Sequence, residues 1–143
     1  AVLARAARSD VFVAAAAVGD FRPQAAASNK IRKHGDAALE LALVQNPDIV
    51  AEVAALPARP FVVGFAAETE DLEARARGKL ERKRLDLVAA NQVGAGLGFE
   101  QHDNALLLLW PDGREQLPRA DKHELARRLL ARIAQLRDAA GGA

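Results

Sequence analysis

Two groups of cations stand where they could meet an anion. Lys79 and Lys83 are four residues apart, which puts both on one face of a helical segment. Lys30, Arg32 and Lys33, with His34 beside them, crowd a stretch that shows no apolar period. Asp20 follows an apolar run through Gly19, either as a turn residue or as a ligand to ribose or metal. Together these types suit the holding of a polyphosphate, whose oxygens need cations both at rest and as a phosphate group departs. From spacing alone a solvated charged face is the better account of Lys79 and Lys83, because 68–84 is charged throughout. Their place after a buried strand favours the ligand, since open α/β sheets bind beyond the strand C-termini.

The other chemistry-bearing residues exclude more than they offer. Cysteine is absent, so disulfides, thiolate metal sites and thiol nucleophiles are ruled out. Serine occurs only at 9 and 28 and threonine only at 69, which disfavours a hydroxyl nucleophile with its base and orienting acid. His34, His102 and His123 lack zinc-ligand spacing. The glycines at 94, 96 and 98 invite a nicotinamide-binding reading. A dinucleotide fingerprint, however, needs strand, G-x-G-x-x-G and helix in succession, and here the spacing differs and an apolar run follows. A flexible loop is the stronger reading.

These residues must be positioned by one domain. The chain has 143 residues, 50% of them hydrophobic and 27% charged, which is the balance of a globular fold. A formal net charge of +1 argues against nucleic-acid binding by bulk attraction. No apolar run approaches the roughly 20 residues of a membrane span, and no secretory signal is evident, so a cytoplasmic protein is expected. The sequence begins at Ala1 without methionine, as a piece of a longer protein would.

Read in order, Val2–Arg8 favours helix and Ser9-Asp10 breaks it. The run Val11–Val18 has no alternation, which predicts a strand covered on both faces in the middle of a sheet. Arg22–Gly35 reads as a long loop, the kind that serves as a lid. Leu39–Val44 alternates as a strand, and Asn46-Pro47-Asp48 is a strong helix start with Asn46 as cap, the helix running to Ala55. Then come a buried strand Phe61–Ala66, a helix Glu70–Lys83 capped by Thr69, and a strand Leu85–Ala90 ending at Asn91. The apolar run Ala105–Trp110, the turn Pro111-Asp112-Gly113 and a short strand Glu115–Leu117 make a hairpin. Asp121 caps the last helix with Glu124 as its capping-box partner, and Leu125, Leu129, Leu130 and Ile133 mark the buried face. One domain over 1–137 without internal boundary, and a disordered tail over 138–143, are expected.

Ala-Ala-Val-Gly-Asp20-Phe21-Arg22-Pro23, Lys30-Ile31-Arg32-Lys33, Asn46-Pro47-Asp48-Ile49, Gly64-Phe65-Ala66-Ala67-Glu68-Thr69, Lys79 with Lys83, and Asp86-Leu87-Val88-Ala89-Ala90-Asn91 follow one another in this order. In that succession the chain resembles the phosphopantothenoylcysteine synthetase family of coenzyme A biosynthesis. The likeness continues through Gly98-Phe99, Asp103-Asn104 and the last helix with Lys122. It implies an α/β fold, a Rossmann-like three-layer sandwich with a mostly parallel central sheet and a C-terminal β-hairpin, truncated at its N-terminus. The activity it implies is a ligase that uses CTP to form an acyl-cytidylate from phosphopantothenate and joins this to cysteine, releasing CMP and pyrophosphate.

By the same resemblance the nucleotide contacts fall on Ala14, Ala15, Ala16, Asp20, Lys30, Pro47, Asp48, Ile49, Val50, Phe65, Lys79 and Lys83. Lys30 takes the catalytic role, and Lys30, Lys79 and Lys83 would neutralise the triphosphate. Magnesium is implied with the CTP, its ligands unassigned, and FMN only if a decarboxylase domain is fused upstream. A homodimer is implied as well. The family's glycine-rich opening segment and the asparagine loop that holds phosphopantothenate have no counterpart in this sequence, and Asn91 does not replace them. The chain is thus expected to hold CTP without completing the reaction alone. The competing reading is a non-catalytic dimerisation or regulatory module that kept the sheet and lost the chemistry.

Overall fold

In the computed structural model, which describes residues 1–32, 38–94 and 103–141, the chain divides into two compact units. One comprises Ala1–Ala15 with Ile49–Ala143, the other Ala16–Asp48.

The first unit is built on a five-stranded sheet in the order β1-β4-β5-β6-β7. Its strands are β1 (Val11–Ala14), β4 (Phe61–Glu68), β5 (Leu87–Gln92), β6 (Asp103–Trp110) and β7 (Gly113–Asp121). Adjacent pairs β1–β4 and β4–β5 are parallel, whereas β6 is antiparallel to both of its neighbours, so β6 alone runs against the other four. The continuous apolar runs fit the inner strands of this sheet: side chains alternate across it, and only a strand covered on both faces needs apolar residues at every position.

Val62, Ala66, Val88, Ala90, Leu107 and Leu109 pack on one face with Ala6 of α1 (Val2–Ala6), Val53 and Ala54 of α2 (Ile49–Ala54), and Ala76 and Leu80 of α3 (Leu72–Arg82). Val63, Leu87, Ala89, Leu106, Leu108 and Leu117 pack on the other with Leu125, Leu129 and Ile133 of α4 (Lys122–Gly141). The result is the expected three-layer α/β sandwich with a mostly parallel central sheet and a terminal hairpin.

Several local expectations are corrected. The first strand stops at Ala14 rather than Val18 and lies at the sheet's edge, half-buried rather than covered on both faces. Alanine is a poor strand former, so the Ala-rich stretch after Ala14 lacks the β-branched packing that would extend it. Asn46 does not cap α2, which begins at Ile49. Thr69 does not cap α3, because β4 runs on through Glu68 and the cap position falls at Asp71 in the left-handed region with φ of 49°. Leu130 is 60% exposed. α4 continues through Gly141, so 138–141 are helical rather than a disordered tail.

At the hairpin, Trp110 pairs with Gly113 across Pro111 and Asp112. A Cβ at Gly113 would stand 2.5 Å from the Trp110 ring, so glycine is required by that close approach. Arg132 stacks over the same ring at 5.4 Å and pairs with Glu115 at 2.6 Å, tying α4 to the hairpin. Asp121 caps α4 as expected, its Oδ1 accepting from the His123 and Glu124 amides at 2.9 and 3.1 Å. Glu124 does not close the box; its carboxylate takes Arg128 at 2.8 Å instead. At the other end of the hairpin Arg119 donates to both Asp103 oxygens, and this hydrogen bonding, with the charge of Asp103, holds its guanidinium above the ordinary range.

The second unit is small. β2 (Phe21–Pro23) pairs antiparallel with β3 (Leu43–Gln45), so the strand expected over Leu39–Val44 is shorter and shifted, and the long loop starts from a ribbon. Between the strands, 24–32 and 38–42 have no regular structure. Lys33, His34 and Gly35 of the expected lid lie outside the described residues.

Candidate nucleotide site

The residues assigned to nucleotide contact are divided between the two units, and each set has its own geometry. In the sheet unit the set comprises Ala14, Ala15, Ile49, Val50, Phe65, Lys79 and Lys83. Ala14 is the last paired residue of β1 and lies opposite Gly64. Phe65 therefore comes just past the end of the β1 ladder, while on its other side β4 continues pairing with β5 through Glu68. Strand termination at such a step exposes backbone groups to a ligand. The Phe65 side chain packs toward the α4 face, and its carbonyl accepts from Lys79 Nζ at 2.5 Å. Spacing alone left Lys79 on a solvated face; the structure makes it half-buried, aimed at the C-terminal half of the central parallel strand.

Local sequence explains how α3 delivers that lysine. Ala76 and Leu80 bury the inner face of the helix. The helix ends with the Leu85 amide bonded to the Leu80 carbonyl at 2.9 Å and the Arg84 amide to Glu81 at 3.1 Å, with Arg84 left-handed at φ of 51°. Glycine is the usual residue at that position, and arginine there costs conformational energy. Arg59 clamps the strained turn: its Nη1 donates to the Arg84 carbonyl at 2.6 Å and its Nη2 to Asp86, whose other oxygen accepts from the Val62 amide at 2.6 Å. Gly64 admits Leu85, whose Cδ1 lies 2.7 Å from where a Cβ would stand. Lys83, the C-cap residue, is half-buried beside this clamp.

The ribbon unit carries Ala16, Asp20, Lys30, Pro47 and Asp48, all exposed. Here the structure brings together two segments the sequence separates widely. The Asn46 amide donates to the Asp20 carbonyl at 2.8 Å, and Asn46 Nδ2 donates to the Gly19 carbonyl at 2.7 Å. Arg22 Nη1 then reaches the Gln45 carbonyl at 2.9 Å and Asn46 Oδ1 at 3.1 Å. Asp20 and Pro47 are thereby neighbours across a tied base. Lys30 lies on the irregular segment beyond β2 and has no regular structure around it.

Sequence reasoning missed the Arg59–Asp86 clamp and the Arg22–Asn46 tie. Asn before Pro signals a helix cap, and nothing local in the sequence distinguishes that use from a bond to a carbonyl 27 residues earlier. A shallow groove between β7 and α4, lined by Gln116, Pro118, Arg128 and Gln135 among others, includes none of the assigned residues. Among the described residues no helix is long and apolar enough to cross a membrane, and no group of three or more metal-ligating side chains is gathered.

A parallel-led α/β sandwich with a ribbon emitted between its first strand and its first crossover helix defines the class. The chain belongs to the family described as DNA/pantothenate metabolism flavoprotein C-terminal domain, whose model matches residues 1–136. It is 48% identical over 139 residues to the coenzyme A biosynthesis bifunctional protein CoaBC of Vibrio parahaemolyticus, covering 95% of this chain and 35% of the relative. It is 47% identical over 137 residues to CoaBC of Escherichia coli K12, covering 93% and 34%. The chain thus spans about a third of these relatives' length. Among solved structures, the C-terminal domain of CoaBC superposes with a TM-score of 0.73 at 27% identity, covering 96% of this chain and 60% of that one. A Cab2 mutant complexed with phosphopantothenate-cysteine gives 0.73 at 19% identity, covering 98% and 50%, and shares the fold.

Proposed function

We propose that this chain is the nucleotide-handling part of a ligase that activates phosphopantothenate with CTP and couples it to cysteine. One observation carries the reading. Lys79 is half-buried with its ammonium at the Phe65 carbonyl, just past the end of the β1 ladder, and Lys83 follows one turn later, in a chain whose curated relatives are coenzyme A biosynthesis proteins.

In the reaction, a carboxylate oxygen of phosphopantothenate attacks the α-phosphorus of CTP. The α–β phosphoanhydride breaks, and pyrophosphate leaves with the electron pair. The amine of cysteine then attacks the acyl carbon, CMP departs, and the nitrogen loses a proton as the amide forms. Both steps develop negative charge on phosphate oxygens, so fixed cations lower their barriers without a covalent enzyme intermediate. Lys79 and Lys83 are assigned to the resting triphosphate. Lys30, exposed on its irregular segment, is assigned to the charge on the departing pyrophosphate. Magnesium would come with the triphosphate and take one or two carboxylates besides phosphate and water oxygens, and Asp20 offers an exposed carboxylate for it. FMN enters this reading only if a decarboxylase domain is fused in the full-length protein.

The homodimer is supported by the ribbon unit, where Val18, Phe21, Ile31, Leu39, Leu41 and Leu43 are each at least 56% exposed. Such a concentration of apolar surface marks an interaction face. The working compartment in this reading is the cytoplasm, and the isolated chain binds CTP without completing the ligation.

Calorimetric titration with magnesium-CTP tests the assignment. The wild-type protein is expected to bind, and Lys30→Gln, Lys79→Gln and Lys83→Gln each to weaken binding by about tenfold or more, the scale of a lost charge-assisted contact. Unchanged affinity after all three substitutions together would show that these lysines are not the phosphate ligands.

A further inference from the structure

Within the ribbon unit, two side chains outside the assigned nucleotide set do more than close the strand pair. Asn46 uses both ends of its amide: Nδ2 donates to the Gly19 carbonyl at 2.7 Å, and Oδ1 accepts from Arg22 Nη1 at 3.1 Å. Its backbone amide donates to the Asp20 carbonyl at 2.8 Å. Arg22 spans back to the Gln45 carbonyl at 2.9 Å. Every bond crosses between the Gly19–Arg22 segment and the Gln45–Asn46 segment. Asp20 sits inside the first of these and Pro47-Asp48 directly follows the second, so the network continues the β2–β3 ladder outward and ties together the two irregular turns just beyond its end.

We infer that Arg22 and Asn46 are positioning residues that hold the Asp20 turn and the Pro47-Asp48 turn in register for a nucleoside triphosphate. This rests on the CTP reading above. The physical case is one of ordering. Asp20, between β1 and β2, and Pro47 and Asp48, between β3 and α2, are all exposed, and a ligand that had to order them on binding would lose affinity for each turn it immobilises. Bonds made in the free protein remove that cost in advance. The same exposure means that the bonds themselves contribute little to global stability, because water competes for each group. A role confined to stability therefore predicts small effects everywhere, and a positioning role predicts a large effect on nucleotide affinity alone.

The experiment uses the full-length protein that carries this chain. Magnesium-CTP is titrated calorimetrically against wild type, Arg22→Ala, Asn46→Ala and the double variant, with thermal unfolding of each. Arg22→Lys keeps the charge and loses the fork; Asn46→Asp keeps the acceptor for Arg22 and loses the donor to Gly19. The expected result is a loss of CTP affinity of about tenfold in each alanine variant and no further loss in the double, since one network is broken in every case. Partial rescue is expected in Arg22→Lys and none in Asn46→Asp. In steady state KM for CTP should rise while KM for cysteine stays put. Wild type that binds CTP alongside variants that bind it equally tightly overturns the positioning role and leaves the nucleotide reading intact. Additive losses in the double variant overturn it as well, by showing two independent contacts. Wild type with no CTP binding overturns the reading beneath it, and the inference falls with that.

Discussion

Leu87 in β5 and Leu41 in the segment leading to β3 are the same side chain in opposite circumstances. The first is wholly inaccessible, clustered with Val63 and the buried face of α4; the second is 59% exposed. The contrast extends to the units around them. Every residue of the buried core belongs to the sheet unit, whereas among the described residues of 16–48 none is buried, and only Val44 and Asn46 are half-buried. The sheet unit is held by packing, which resists local change because a cavity in it cannot be refilled. A two-stranded ribbon without a core is marginal by itself and depends on hydrogen bonds such as those of Asn46. Lys79 and Lys83, assigned in the proposed reading to the resting triphosphate, are on the packed unit. Lys30, assigned in the proposed reaction to the departing pyrophosphate, is on the other.

The largest effect that could break this contrast is a cavity in the sheet. Leu108 is fully buried against the α4 face, and Leu108→Ala should cost about 2–5 kcal/mol of unfolding free energy, read by urea titration. A cost below about 1 kcal/mol would mean that the sheet unit is loosely packed, and the distinction between the units would lose its basis.

Smaller is the effect at the start of α4. Asp121→Ala removes an acceptor shared by two amides and should cost about 1 kcal/mol. Glu124→Ala should cost no more than about 0.5 kcal/mol, because among the described residues its carboxylate pairs with exposed arginines on its own helix. Equal losses from both would restore the reciprocal capping box that the sequence suggested and the structure does not contain.

The same division decides what could be read from sequence. The strands around Val63, Leu87 and Leu108 were legible because apolar residues at every position have few uses other than a sheet covered on both faces. The first strand was overextended because Ala15, Ala16 and Ala17 are apolar without being strand formers. Thr69 was a reasonable cap for α3, but the β4–β5 ladder holds the chain extended through Glu68 and moves the cap to Asp71. At the site, the spacing of Lys79 and Lys83 was legible, but the direction of Lys79 was not, because it depends on where β1 stops. Arg59, Asp86, Arg22 and Asn46 were illegible for one shared reason: each bonds a backbone group at least 23 residues away, and no local pattern encodes a partner at that distance.

The smallest expected effect is the most discriminating. At low protein concentration Leu41→Ala should change the unfolding free energy by less than about 0.5 kcal/mol, as for a surface position away from caps and cores. In the homodimer reading the same substitution removes apolar area from an association face, so its cost should grow as concentration is raised and dimer forms. Measuring the thermal midpoint of wild type and Leu41→Ala across a hundredfold range of concentration separates the two contributions. A gap between the curves that opens with concentration places Leu41 in the interface. A constant gap as large as that for Leu108→Ala would mean that the ribbon is packed within a single chain, and the difference between the two units would be one of size rather than of kind.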